Sequence, residues 1–117
     1  MSSGKHLICD IKNIKNLERL NSLTALKKMF DHICEKYQYT ILHKIDHIFT
    51  PQGITLIYML SESHISIHTF PEKGYAAMDI YTCREYPNND VYHDIEGYLT
   101  EMFDSDQSTF TIVERKY

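Results

Sequence analysis

A serine, two histidines, two carboxylates and a cysteine lie close together near the middle of the chain. They are Glu62, Ser63, His64, His68, Glu72 and Cys83. A serine hydroxyl can attack the carbonyl of the residue before it, which converts the peptide bond into an ester. Histidine, whose ordinary pKa is near neutral, is a suitable base for the proton removal that follows. These residues therefore hold the parts for an acyl shift, and such a shift can break the chain and leave a carbonyl cofactor made from the serine.

The sequence LSESHISIHTFPE at 60–72, followed by TC at 82–83, resembles the self-cleavage motif of the S-adenosylmethionine decarboxylases, in their small bacterial and archaeal form. The resemblance implies cleavage between Glu62 and Ser63, giving fragments 1–62 and 63–117. It also implies that Ser63 becomes a covalent pyruvoyl group, which forms a Schiff base with the substrate amine and withdraws electrons. The expected reaction is decarboxylation of S-adenosylmethionine to the aminopropyl donor for spermidine synthesis.

The same resemblance implies roles for individual residues. His68 matches the processing base, and Cys83 matches the acid that returns a proton to the substrate α-carbon. Glu72 matches a glutamate that binds the ribose, and Phe49 an aromatic residue that stacks on adenine. Taken alone, each has an ordinary interpretation: a half-buried strand histidine, a small buried thiol, a solvated turn carboxylate and a core aromatic ring.

Four positions depart from the family pattern. Thr55 stands where a serine usually supports processing, and Asp10 stands where a glutamate faces the active site. Phe70 replaces a tryptophan, and Arg84 replaces the glycine after the cysteine. Because a hydroxyl and a carboxylate are retained, we expect processing to survive, while the shorter Asp10 bears on substrate fit.

Two alternative functions remain open on the sequence. One keeps the pyruvoyl mechanism but takes ornithine or arginine as substrate. The other is a noncatalytic homologue that folds and dimerises without ever cleaving.

Composition narrows the class of protein. The 117 residues suffice for one domain, and a net charge of −4 disfavours a nucleic-acid partner. Three separated cysteines without a CxxC pair argue against disulfides and structural zinc. The pairs His43/His47 and His64/His68 lack the glutamate of HExxH and lie in predicted strands, so no metal site is predicted. With no leader-like segment and no apolar run of roughly 18 residues, we expect a cytoplasmic protein without a membrane span.

The hydrophobic pattern predicts the order β-α-β-β-β-β-α-β, an α+β two-layer sandwich with a mostly antiparallel sheet of about six strands and two helices on one face. The predicted strands are 6–11, 40–49, 54–60, 64–70, 75–82 and 108–115, and the helices are 21–37, beginning at an Asn21 N-cap, and 91–103, beginning at an Asp90 N-cap. Two helices leave one sheet face uncovered, which favours a homodimer with a shared active site. Strict alternation places Ser63 and His68 on opposite faces, so a bend at 62–64 or an approach across strands must bring them together.

Overall fold

The computed structural model describes residues 2–116 and shows a six-stranded antiparallel sheet over this range, in the order β2-β3-β4-β5-β1-β6. The strands are β1 (Ser2–Ile14), β2 (Ile41–Ile48), β3 (Ile54–Leu60), β4 (Ser63–Phe70), β5 (Tyr75–Thr82) and β6 (Ser105–Lys116). The helices are α1 (Leu17–Leu20), α2 (Leu23–Tyr37) and α3 (Asp90–Phe103), with a 3₁₀ turn at Pro71–Lys73. The predicted α+β fold class is confirmed.

The core lies between the helices and one face of the sheet. Alternate residues of the central strands are buried there, as period-two patterning requires. In β3 the buried set is Ile54, Leu56, Tyr58 and Leu60. The Tyr58 ring meets Phe30 of α2 edge-on at 5.1 Å between centroids, and its hydroxyl donates to Asp31 at 2.7 Å. Helices α2 and α3, which carry the apolar stripes, thus cover a single face of the sheet.

Three sequence expectations about elements were wrong in detail. The N-cap of helix α2 is Ser22, whose hydroxyl accepts a hydrogen bond from the Ala25 N–H. The predicted N-cap, Asn21, instead ends the separate short helix α1 that precedes α2. Helix α3 begins at Asp90 with Asn89 as its N-cap position, so Asp90 lies in the first turn. Residues 2–116 therefore contain three α-helices, and not two.

Among residues 2–116 no helix packs on the opposite face of the sheet, which is called the open face below. Residues directly opposite each other in paired strands share a face, so the register defines three rows across it. The rows are His43-Met59-His64-Tyr81-His6-Val113, Ile45-Ile57-Ser66-Asp79-Ile8-Thr111 and His47-Thr55-His68-Ala77-Asp10-Thr109. Ile45 and Met59 are 65% and 46% exposed. The uncovered face that the sequence predicts is therefore present, with apolar and imidazole side chains on it.

Within residues 2–116, no helix combines the length and the apolar character needed to cross a membrane.

Candidate active site

The predicted cleavage point lies in the tight turn between β3 and β4. Leu60 and Ser63 are paired, so Ser61 and Glu62 form a two-residue hairpin connection. Glu62 has φ of 64°, in the left-handed region that a residue with a Cβ seldom occupies. Such a conformation costs on the order of 1–3 kcal/mol and persists only where the surroundings impose it. The hairpin thus places backbone strain on the residue that supplies the carbonyl of the Glu62–Ser63 bond.

Ser63, Glu62 and Cys83 lie together at this end of the sheet. Ser63 is paired with Thr82, the last residue of β5, and Cys83 follows directly. A pocket of about 260 Å³ is lined by Thr40, Ser61, Glu62, Ser63, Thr82, Cys83 and Arg84. Ser63, Glu62 and Cys83, which the sequence singled out for cleavage and proton transfer, are therefore neighbours.

The Cys83 thiol donates to Glu62 Oε2, with 3.1 Å between Sγ and the oxygen. This hydrogen bond is the largest of the causes that raise the pKa of Cys83, followed by burial and by the negative charge of Glu62, while the Ser63 hydroxyl acts in the opposite direction. A thiol with a raised pKa stays protonated at neutral pH. Cys83 is thus suited to give a proton rather than to act as a nucleophile.

Arg84 closes one side of this pocket. Its guanidinium donates to the backbone carbonyls of Tyr37 and Gln38 at the end of α2, and lies 4.7 Å from the centre of the Tyr39 ring. Unpaired carbonyls at a helix C-terminus attract cations. The arginine that departs from the family pattern therefore has a structural role, because it ties the strand end at Cys83 to helix α2.

Thr55 and His68 form a second group, away from Ser63. Thr55 Oγ1 and His68 Nδ1 are 2.9 Å apart on adjacent strands, so the predicted processing residues do meet each other. However, β4 runs from Ser63 to Phe70 as one element, and five residues of strand span roughly 16 Å. His68 is also on the open face, whereas Ser63 shares a row with the buried Thr82. Within one chain, neither a bend nor a strand crossing brings His68 to Ser63.

Asp10 belongs to the same row as His68, separated from it by Ala77. The Tyr75 hydroxyl donates to Asp10 Oδ1 at 2.5 Å. This hydrogen bond is the leading cause that raises the pKa of Tyr75. The sequence did not single out Tyr75, and no spacing could have shown that a tyrosine on β5 orients a carboxylate on β1.

Phe49 and Glu72 lie near that end of the sheet as well. Phe49 follows β2, is 48% exposed, and meets the His47 ring edge-on at 4.5 Å between centroids. Its N–H donates to the Gly53 carbonyl at 2.8 Å, which closes the loop before β3. Glu72 is exposed in the 3₁₀ turn that follows β4. The core interpretation of Phe49 is wrong, and an exposed ring is available for stacking.

Fold and site together define a class: a two-layer α+β protein whose candidate reactive groups lie toward the two ends of its sheet. A profile of the S-adenosylmethionine decarboxylase family matches residues 5–116. An S-adenosylmethionine decarboxylase proenzyme from Methanococcus maripaludis is 40% identical over 106 residues, covering 86% of each chain. One from Clostridium kluyveri is 35% identical over 112 residues, covering 96% of this chain and 86% of the relative.

The chain belongs to the S-adenosylmethionine decarboxylase family. A solved structure of the adenosylmethionine decarboxylase from Aquifex aeolicus VF5 superposes with a TM-score of 0.85, covering 99% of this chain and 92% of that one. At 23% identity this likeness concerns the fold.

Proposed function

We propose that this protein is a pyruvoyl-dependent S-adenosylmethionine decarboxylase that cleaves itself between Glu62 and Ser63. The observation that carries the proposal is the strained hairpin turn: the positive φ of Glu62 lies next to the bond that must open. Family membership supports the same assignment. The decarboxylated product would serve as the aminopropyl donor for spermidine synthesis.

Cleavage needs only protein groups and water. The Ser63 hydroxyl attacks the Glu62 carbonyl, so that the peptide nitrogen is expelled and an ester replaces the amide. A base then removes the Ser63 α-proton, and elimination releases the Glu62 carboxylate. Addition of water and loss of ammonia leave a pyruvoyl group on the second fragment. The residues present fit this group, because the serine that would form it shares a pocket with Cys83.

The pyruvoyl carbonyl supplies the electron sink for decarboxylation. Cys83 would protonate the substrate carbon once carbon dioxide has left; in the uncleaved chain its hydrogen bond to Glu62 favours the protonated thiol, which supports this role. The exposed Phe49 ring would stack on the adenine, and Glu72 would accept hydrogen bonds from the ribose. These two contacts are specific to a nucleoside and have no counterpart in ornithine or arginine.

We further infer that the active site is shared between two copies of the chain in a homodimer. Ser63 and Cys83 lie at one end of the sheet, whereas Thr55, His68 and Asp10 lie in a row toward its other end on the open face. Ile45 and Met59 leave apolar surface on that face, and burying it favours association. In the inferred dimer the open faces pack together, and the partner's His68 reaches past the strand end to Ser63, whose pocket lies at the end of the sheet.

Intact mass under denaturing conditions tests the cleavage. Purified protein should give two fragments, 1–62 and 63–117, the second blocked at its N-terminus, while Ser63→Ala should remain one chain. A chain that stays intact after long incubation would support the noncatalytic alternative. Release of carbon dioxide from S-adenosylmethionine, ornithine and arginine then separates the two enzyme hypotheses.

Mixed dimers test the shared site. His68→Ala alone should cleave slowly, because elimination lacks its base. When His68→Ala is co-expressed with Ser63→Ala, the partner can supply the missing imidazole, so the His68→Ala chains in mixed dimers should cleave at close to the normal rate, while those paired with each other stay slow. If His68 served Ser63 of its own chain, co-expression would change nothing, and the shared site would be rejected.

A further inference from the structure

Three metal-ligating side chains converge on the open face, outside the site described above. They come from three adjacent strands: His6 from β1, His64 from β4 and Asp79 from β5. Asp79 Oδ2 lies 2.6 Å from His64 Nε2, and Oδ1 lies 3.3 Å from His6 Nδ1. One ligand atom from each residue falls within 4.8 Å of the other two.

We propose that His6, His64 and Asp79 form a binding site for a borderline divalent transition-metal ion, with Zn²⁺ as the reference ion. The inference does not rest on self-cleavage or decarboxylation. Although His64 follows Ser63 directly, alternation directs it to the open face, while Ser63 shares its row with buried Thr82.

The donor set decides which class of ion fits. Two imidazoles and one carboxylate are the three protein ligands of an open tetrahedral zinc site, whose fourth position takes water. Mg²⁺ and Ca²⁺ prefer oxygen ligands throughout, so they match this set poorly. In a tetrahedral site with bonds of about 2.0–2.1 Å, donor atoms lie roughly 3.3 Å apart. The His6–Asp79 distance already has that value, and the remaining adjustment is within reach of side-chain rotation.

The surroundings hold the imidazoles in place. The His6 ring packs against Tyr81 with 4.6 Å between centroids, and the Tyr81 hydroxyl donates to the Ser3 carbonyl at 2.6 Å. The other ring nitrogen of His6, Nε2, faces Arg115 at 3.5 Å, so Nδ1 remains directed at Asp79. In the single chain the side chains of His6, Asp79 and His64 are 21%, 31% and 39% exposed, so an ion can reach them before two copies associate through this face.

Binding must displace protons. Without a metal ion each histidine is within hydrogen-bond distance of the carboxylate, and a bound ion would take the place of both hydrogen bonds. The ion needs neutral imidazoles and an ionised carboxylate as ligands. Arg115 near His6 opposes a cation, and the charge of Asp79 offsets this repulsion.

Titration of tag-free protein with Zn²⁺ against a chromophoric chelator tests the site. Wild-type protein and uncleaved Ser63→Ala should bind one equivalent with the same affinity, which separates this proposal from the proposed function. Asp79→Asn should weaken binding at least tenfold. His43→Ala, which removes an imidazole from the same face outside the cluster, should bind like wild type.

Two further readouts make the result decisive. Co²⁺ bound at the site should give visible absorption without the near-ultraviolet charge-transfer band of a thiolate ligand, which excludes Cys83 as the donor. If Asp79→Asn does not fold, His6→Gln takes its place in the same titration. The proposal would be overturned if wild type and the folded ligand variant bound Zn²⁺ with equal affinity. It would also be overturned if His43→Ala lost as much affinity as the ligand variant, or if Co²⁺ gave a thiolate band.

Discussion

Replacing Glu62 with glutamine should make the Cys83 thiol more reactive in the uncleaved chain. Glutamine keeps the size of the side chain and can still accept the S–H hydrogen bond, but it removes the negative charge 3.1 Å from the sulfur. That charge and its hydrogen bond raise the pKa of Cys83. Without the charge the pKa falls, so a larger fraction of the thiol is ionised at a pH below it.

The size of the effect follows from the distance. Two unit charges 3.1 Å apart interact by about 1.3 kcal/mol at the dielectric constant of water. Solvent screening at this partly exposed site lowers the effect, so we expect alkylation at pH 8 to be roughly three- to tenfold faster. The rates should converge at high pH, where the thiol is ionised in both proteins.

The assay compares Ser63→Ala with Ser63→Ala/Glu62→Gln, so that neither chain cleaves. Mass spectrometry after iodoacetamide treatment identifies the modified cysteine. Cys9 and Cys34 are buried, and burial raises the pKa of both, that of Cys34 to about 11, so they should stay unmodified in folded protein. Glu72→Gln in the same background controls for the change in net charge. An unchanged or slower reaction of Cys83 in the double variant would refute the reasoning.

Three further expectations follow from the site and the core. Cys83→Ala should still give two fragments but lose about 10²-fold or more in turnover, since general acid catalysis contributes that much; normal turnover would rule out the acid role. Phe49→Ala and Glu72→Gln should each weaken use of S-adenosylmethionine about tenfold in steady-state assays, by the scale of base stacking and charged hydrogen bonds. Thr69→Val should lower the free energy of unfolding in urea by about 1–2 kcal/mol, because the buried Ile54 N–H loses its acceptor at 2.9 Å.

Much of the fold could be predicted from the sequence because each strand has its own alternating pattern. In β4 the buried Ile65 and Ile67 alternate with polar residues, and this alone separates the two faces. Strand lengths were harder: β1 extends to Ile14 and β6 begins at Ser105, since pairing between them, and not apolar content, sets their ends. The short helix α1 carries only one buried residue, Leu20, and so has no periodic signal.

The site residues also differ in how far the sequence could predict their contacts. Ser63 and Cys83 could be placed together because both lie at the ends of adjacent strands. The Tyr75–Asp10 hydrogen bond and the contact of His6 with Asp79 join positions far apart in sequence. Such contacts depend on the position of β1 between β5 and β6. Hydrophobic periodicity does not predict the order of strands in a sheet.

That sheet order also determines what self-cleavage would do to the molecule. Residues 1–62 contribute β1, β2 and β3, and residues 63–117 contribute β4, β5 and β6. In the sheet, β1 lies between β5 and β6, and β3 is paired with β4, so three of the five strand pairings described for residues 2–116 join one fragment to the other. Opening the Glu62–Ser63 bond releases the strain at Glu62 and removes one hairpin connection, but it breaks none of these pairings. We therefore expect the two fragments to stay together in native gel filtration and to separate only when the whole sheet unfolds.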